Sequence, residues 1–163
     1  MADIKNLNDL YVHLLRDIYY AEKQIEKALP KMARKADNGE LKAAFEEHLA
    51  ETKNQISRLE KVFELSGKKA SGETCPAIEG ILEEAEDLMA EVEDAATLDA
   101  AMIAAAQAVE HYEITRYGTI LTYADQLGMG EAVDILRETL AEEENADKKL
   151  TVLAKAAVNP QAA

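Results

Sequence analysis

The sequence contains one cysteine, Cys75, and three prolines, Pro30, Pro76 and Pro160. A single thiol excludes an intrachain disulfide and any four-cysteine zinc or rubredoxin-type iron site, and such sparing use of cysteine fits a reducing compartment. Basic residues are also scarce, with 18 Lys plus Arg against 32 Asp plus Glu, a formal net charge of −14. Nucleic-acid backbones and anionic membrane surfaces are held by clustered Lys and Arg, so neither partner is expected. Long apolar runs are missing, since no segment reaches the roughly 18 uninterrupted apolar residues of a membrane span. Met1-Ala2-Asp3-Ile4-Lys5-Asn6 lacks the basic-then-apolar order of an export signal. The expected location is the cytoplasm.

What remains is ample for a core: 163 residues, of which 48% are hydrophobic and 31% charged, predict one domain over 1–163. Ala, Leu, Glu and Lys dominate the stretches between the few prolines and glycines, which predicts an all-α protein. Punctuation falls at Asp37-Asn38-Gly39, from Ser66-Gly67 to Cys75-Pro76, near Asp94 to Thr97 and at Gly128-Met129-Gly130. Five helices follow, over about 8–36, 40–65, 76–92, 98–127 and 131–157, the third being short. Pro30 should kink the last turns of the first helix. Short connections make the first two long helices one hairpin and the last two another, with a long crossover between them. His48-Leu49-Ala50-Glu51 matches Thr139-Leu140-Ala141-Glu142 at an offset of 91 residues, a short internal echo that common helical vocabulary also explains.

Acidic residues interrupt the apolar seams. In the first helix Tyr11, Leu15, Ile18, Glu22, Ile25, Leu29 and Met32 follow steps of four and three, so Glu22 sits in a hydrophobic stripe. The fourth helix has Ile103, Gln107, Glu110, Ile114, Tyr117 and Leu121, with Glu113 on the adjoining edge. The fifth has Leu136, Leu140, Glu143, Asp147 and Leu150. The second places His48, Glu51 and Gln55 along one edge of a broad apolar sector. One glutamate in a stripe is ordinarily a residue whose stem covers the core, or half of an ion pair. Acids at similar depth in four helices suggest instead a polynuclear metal site, because metal ions offset the cost of burying carboxylates. Carboxylates with one imidazole suit iron or manganese better than a thiolate-seeking metal, and magnesium and calcium share the oxygen preference.

Other residues have plainer readings. Glu142, Glu143 and Glu144 are consecutive; helical phase selects Glu143, whereas the internal echo selects Glu142. Asp17 lies off the stripe, His13 points away from it, and His111 reads as a packed or subunit-contact histidine. Tyr112 and Tyr117 read as packing residues, and Cys75 as a half-buried small residue before a helix start.

Three runs, His48-Leu49-Ala50-Glu51-Thr52-Lys53-Asn54-Gln55, Ala105-Ala106-Gln107-Ala108-Val109-Glu110-His111-Tyr112-Glu113-Ile114 and Glu138-Thr139-Leu140-Ala141-Glu142-Glu143-Glu144, resemble the YciE/YciF-type stress-associated family of bacterial proteins. Asp17 and Tyr20-Ala21-Glu22-Lys23-Gln24 fit the first helix of that family, and the resemblance extends from about Leu7 to Leu153. It implies a ferritin-like, rubrerythrin-like antiparallel four-helix bundle with an extra helix in the crossover, a homodimer, and a link to stress responses without an established reaction. Ferritin-like di-iron sites take one Glu from each of two helices and Glu-x-x-His from the other two. Here Glu51 is followed by Asn54 and Glu142 by Asn145, His48-x-x-Glu51 reverses the order, and Glu143-x-x-x-Asp147 offers a carboxylate in place of imidazole. More anionic oxygen and less nitrogen alter metal preference and redox potential. The lone cysteine leaves no rubredoxin module, so a peroxidase cycle would draw on a separate reductant.

Together these readings predict a dimetal centre of iron or manganese with ligands Glu22, Glu51, Glu110, Glu113, Glu143 and Asp147, and His48 as a ligand or a close neighbour of one. The chemistry implied is oxidation of Fe(II) or reduction of peroxide. No haem, flavin or nucleotide is predicted, and no ferritin cage. A second reading of another class is a metal-free helical homodimer acting as a stress-related interaction or structural protein.

Overall fold

The structure, a computed structural model, describes residues 4–163. Its helices are α1 (Leu7–Lys35), α2 (Gly39–Leu65), α3 (Pro76–Glu91), α4 (Ala95–Gln126) and α5 (Gly130–Leu153). A π-helical turn, Ala154–Val158, and a last helical turn, α6 (Asn159–Ala162), follow. There is no strand among the described residues. The all-helical expectation is met, and the boundaries that shift do so for identifiable reasons. The Asp94 carboxylate accepts from the Thr97 backbone N–H at 2.8 Å and the Thr97 hydroxyl at 2.7 Å, so α4 starts at Ala95 rather than about 98. Asn6 caps α1 through the Asp9 N–H at 2.9 Å, and Asn38 caps α2 through Glu40 and Leu41 at 2.9 and 3.0 Å. α1 continues through Pro30 to Lys35. The fifth helix leaves α geometry after Leu153 instead of running to 157.

α2 and α4 end alike. Gly67 (φ +65°) and Gly128 (φ +72°) take the left-handed conformation. This lets Lys68 N–H reach Phe63 O and Met129 N–H reach Ala124 O, each at 2.9 Å. Those two reversals set the chain direction into the crossover and into α5.

The four long helices close a ring in which α1 contacts α2 and α4, and α5 contacts α4 and α2, while α3 lies mainly on α4. Tyr11, Leu15, Phe45, Phe63, Met102, Ile120 and Leu136 are fully buried and fill the two ends of the interior. Asp99 fastens the α1–α2 turn to α4: buried itself, it accepts from the backbone N–H groups of Asp37 (3.0 Å) and Asn38 (2.7 Å). Cys75 is fully buried rather than half-buried, with Sγ 2.9 Å from the Tyr112 hydroxyl, because the crossover presses the start of α3 against α4. No helix among the described residues is long and apolar enough to cross a membrane.

Candidate metal centre

Midway along the ring the packing changes from apolar to acidic. Glu22 of α1 is buried between Ile18 and Ile25 of the same stripe, as the heptad-like spacing predicts. On α4 the buried stripe is rotated from the expected one: Ala106, Glu110, Glu113, Tyr117, Ile120 and Ala124 face inward, whereas Gln107, Ile114 and Leu121 are only partly covered. Glu113 is thus central rather than marginal. On α5 the inward line is Leu136, Thr139, Glu143 and Leu150. α2 contributes His48, Thr52 and Gln55.

His48, Glu110, Glu113 and Glu143 each offer a ligand-type atom, and these atoms all lie within 4.8 Å of one another. Glu22 adjoins them, its Oε1 accepting a hydrogen bond from the Tyr117 hydroxyl. His48 Nε2 is 3.2 Å from Glu110 Oε1, yet neither ring nitrogen makes an aligned hydrogen bond. Glu22 Oε2, Glu110 Oε2, both carboxylate oxygens of Glu113 and Glu143 Oε2 likewise lack a partner. Burial pushes the carboxyls of Glu22, Glu110 and Glu113 well above their usual range, and the charge of Glu143 beside them pushes the same way. Tyr117 is raised by burial and then by Glu22. Without a counter-charge, the cluster is an arrangement of acceptors facing acceptors.

The remaining sequence candidates stand at the rim. The Glu51 side chain is 24% exposed, with Oε2 3.5 Å from His48 Nδ1. Asp147 is 19% exposed and shared between His111 Nε2 (3.2 Å) and the Gln107 amide (3.1 Å). Glu143, not Glu142, faces inward, because Arg58 draws Glu142 outward with contacts of 2.7 and 2.8 Å. The Gln55 amide nitrogen bridges Glu142 and Glu143 by donating to both, which leaves Gln55 Oε1 buried and unpaired. Thr52 Oγ1 is in the same condition. His111 is 68% exposed, not packed in the core. His13 is partly exposed between Asp17 and Glu73.

Sequence reasoning noticed Gln55 but assigned it no role, and did not single out Thr52 or Arg58. Gln55 was on the edge already identified, and Thr52, four residues after His48, shares the same helical face. The missing signal was which of the neighbouring carboxylates this edge meets, since Gln55 and Arg58 act on Glu142 and Glu143 of another helix.

Residues 6–163 match the family described as "Domain of unknown function (DUF892)". The chain is 48% identical over 161 residues to protein YciF of Escherichia coli strain K12, covering 98% of this chain and 97% of that one. It therefore belongs to the DUF892 family. The crystal structure of the E. coli stress protein YciF superposes with a TM-score of 0.91 over 96% of this chain and 99% of that one, at 48% identity. YcfI of Rhodopseudomonas palustris, which has been proposed to be a structural protein, superposes with a TM-score of 0.90 at 51% identity, covering 91% and 95% of the two chains. A Xanthomonas campestris protein shares the fold at 23% identity and a TM-score of 0.72, over 93% and 92% of the two chains.

Proposed function

We propose that this member of the DUF892 family is a stress-associated protein of ferritin-like fold, with two helical hairpins and α3 in the crossover, whose interior holds a dinuclear iron or manganese centre. The observation that carries the reading is the buried set of unpaired acceptors in a core whose buried polar residues include no Lys or Arg among those described. Four buried carboxylates, Glu22, Glu110, Glu113 and Glu143, match the charge of two divalent cations. An isolated buried ion is unfavourable by several kcal/mol, so the arrangement asks for compensation from outside the chain. Glu22, Glu110, Glu113, Glu143 and His48 would hold the ions, with Glu51 and Asp147 near the rim. Oxygen donors with one imidazole fit iron or manganese.

When bound, such a centre supplies oxidation of Fe(II) or reduction of peroxide, with reductant drawn from outside the chain. The protein's own contribution is orientation and exclusion of water. The Tyr117 hydroxyl holds Glu22, and the Gln55 amide, backed by Arg58 through Glu142, holds Glu143. The kinship with a protein described as a stress protein supports the physiological setting. A homodimer in the cytoplasm belongs to the same proposal.

Anaerobic reconstitution of the protein with Fe(II) or Mn(II), then desalting and elemental analysis, tests the centre. About two retained ions per chain are expected. Retention of none would instead favour a metal-free helical dimer in a structural role, the reading to which the description of YcfI is closer.

A further inference from the structure

A small cavity of about 40 Å³ opens between α2 and α5 beside the acidic cluster. Its wall includes Glu47, His48 and Glu51 from α2, Glu110 from α4, and Ala146 and Lys149 from α5. The polar residues are graded by depth. The Glu47 side chain is 55% exposed, Glu51 24% and His48 8%, and Glu110 3%. Neighbours along this series are close: Glu47 and Glu51 are one helical turn apart on the same face, Glu51 lies 3.5 Å from His48, and His48 lies 3.2 Å from Glu110.

Acids lining a cavity are by themselves ordinary. His48 makes this one different: it is 7% exposed overall, both ring nitrogens lack an aligned partner, and they point towards Glu51 on one side and Glu110 on the other. An imidazole between two carboxylates can take a divalent cation from the outer one on its unprotonated nitrogen and, by turning its ring, release it to the inner one. The ion thus loses its water gradually instead of all at once. Ala44 and Ala146 leave the space for that passage. Farther along the same seam the way is closed to cations, because Arg58 covers it and is paired to Glu138 and Glu142. At the mouth, Lys149 is held 2.9 Å from Glu47.

We infer that this cavity is the uptake route for the metal ion, in which a divalent cation passes from Glu47 to Glu51, then His48, then Glu110, with Lys149 as a positively charged gate. The inference rests on the metal-centre reading and adds how the ion reaches that centre. Glu51 is then a transfer residue rather than a ligand of the resting centre. Lys149 slows uptake by repelling cations and by occupying Glu47.

The test is the rate of Mn(II) uptake by the metal-free protein, followed after rapid mixing by loss of the free-ion EPR signal, with the final stoichiometry measured separately. Glu51→Gln should slow uptake roughly tenfold and Lys149→Ala should speed it roughly threefold, the scale on which local charge alters the arrival of ions. Both should leave the final ion count at the wild-type value. Glu131→Gln, which removes the same charge at the start of α5, should leave the rate unchanged. Glu51 and Lys149 are both partly exposed, and unfolding midpoints confirm that each variant is folded; if Glu51→Gln does not fold, the opposite effect of Lys149→Ala still decides the matter. Unchanged rates in both variants would overturn the route while leaving the centre standing, as would loss of an ion from Glu51→Gln at an unchanged rate. Absence of Mn(II) uptake by the wild-type protein would overturn the centre, and the route with it.

Discussion

His48 and Glu110 meet across the interior, Nε2 to Oε1 at 3.2 Å, although their helices are not neighbours in the ring. The contact is close enough for an ion pair but lacks hydrogen-bond alignment. A side chain that had settled against Glu110 as a structural partner would have aligned with it, because a buried donor left unmade is unfavourable. The proposed metal centre would set an ion against both groups in place of that bond.

Glu143 is the carboxylate whose charge acts on Glu22, Glu110 and Glu113 alike. Glu143→Gln keeps the volume and removes the charge. We expect it to lower the retained metal by at least one ion per chain in elemental analysis, with a helical circular-dichroism spectrum unchanged. A full wild-type ion content in this variant would remove Glu143 from the ligand set.

The pH dependence of the metal-free protein follows from the raised carboxyls of Glu22, Glu110 and Glu113. In the unfolded chain they titrate near the ordinary glutamate value of 4.5, whereas in the folded chain they hold their protons to higher pH. Between those limits the folded state binds more protons, so stability falls as pH rises from about 4.5 and recovers as pH is lowered again. Below that window the ordinary acids act oppositely, for Asp94 is lowered by its hydrogen bonds to Thr97, and its contribution is lost on acidification. Urea midpoints across pH should show this decline, and Mn(II) should reverse it while releasing protons. A metal-free midpoint that climbs steadily with pH would contradict the expectation.

Asp99 lies well away from the chemistry and offers a structural control. Asp99→Ala leaves the Asp37 and Asn38 backbone N–H groups without their acceptor. The expected loss is about 2–3 kcal/mol, in the range for hydrogen bonds to a charged group that leave partners unsatisfied. Thermal and chemical denaturation would reveal it, and an effect below about 0.5 kcal/mol would mean that water replaces the carboxylate without penalty.

Tyr117→Phe isolates the hydroxyl that donates to Glu22. In the metal-free protein we expect a loss of about 1–2 kcal/mol at neutral pH, since Glu22 Oε1 is left as unpaired as Oε2. Added Mn(II) should recover most of that loss. If metal does not narrow the gap between variant and wild type, the hydroxyl serves packing alone.

Much of this protein is legible one helix at a time. Steps of three and four picked out Leu15, Ile18, Glu22 and Ile25, all of which are buried, and Asn38, Gly67 and Gly128 marked real helix ends. On α4 the same method misjudged the phase by a fraction of a turn. Alanines on both flanks gave the helix little amphipathic contrast, so Glu113, already counted among the ligands, was placed on the edge of the stripe rather than in it. Between Glu143 and Leu150 the inward line of α5 is interrupted, for Ala146 and Asp147 are both only partly covered, and Asp147 turns to His111 and Gln107 at the rim. Of the two readings of His111, packed or subunit-contact, its exposure removes the packed one.

Local periodicity and capping chemistry depend on residues within a turn or two of one another. The sequence by itself therefore determined an all-helical chain, the approximate extent of its five main helices, and acids placed where aliphatics belong. Which acids meet depends on the rotation of each helix about its own axis, and that is settled only by packing against two neighbours. Tertiary structure alone decided that His48 reaches Glu110, that Arg58 turns Glu142 outward while Gln55 holds Glu143 inward, and that Glu51 and Asp147 stop at the rim. The physical reason is that burial is a property of the assembled interior: a carboxylate becomes unusual only when the helices around it have taken its water away.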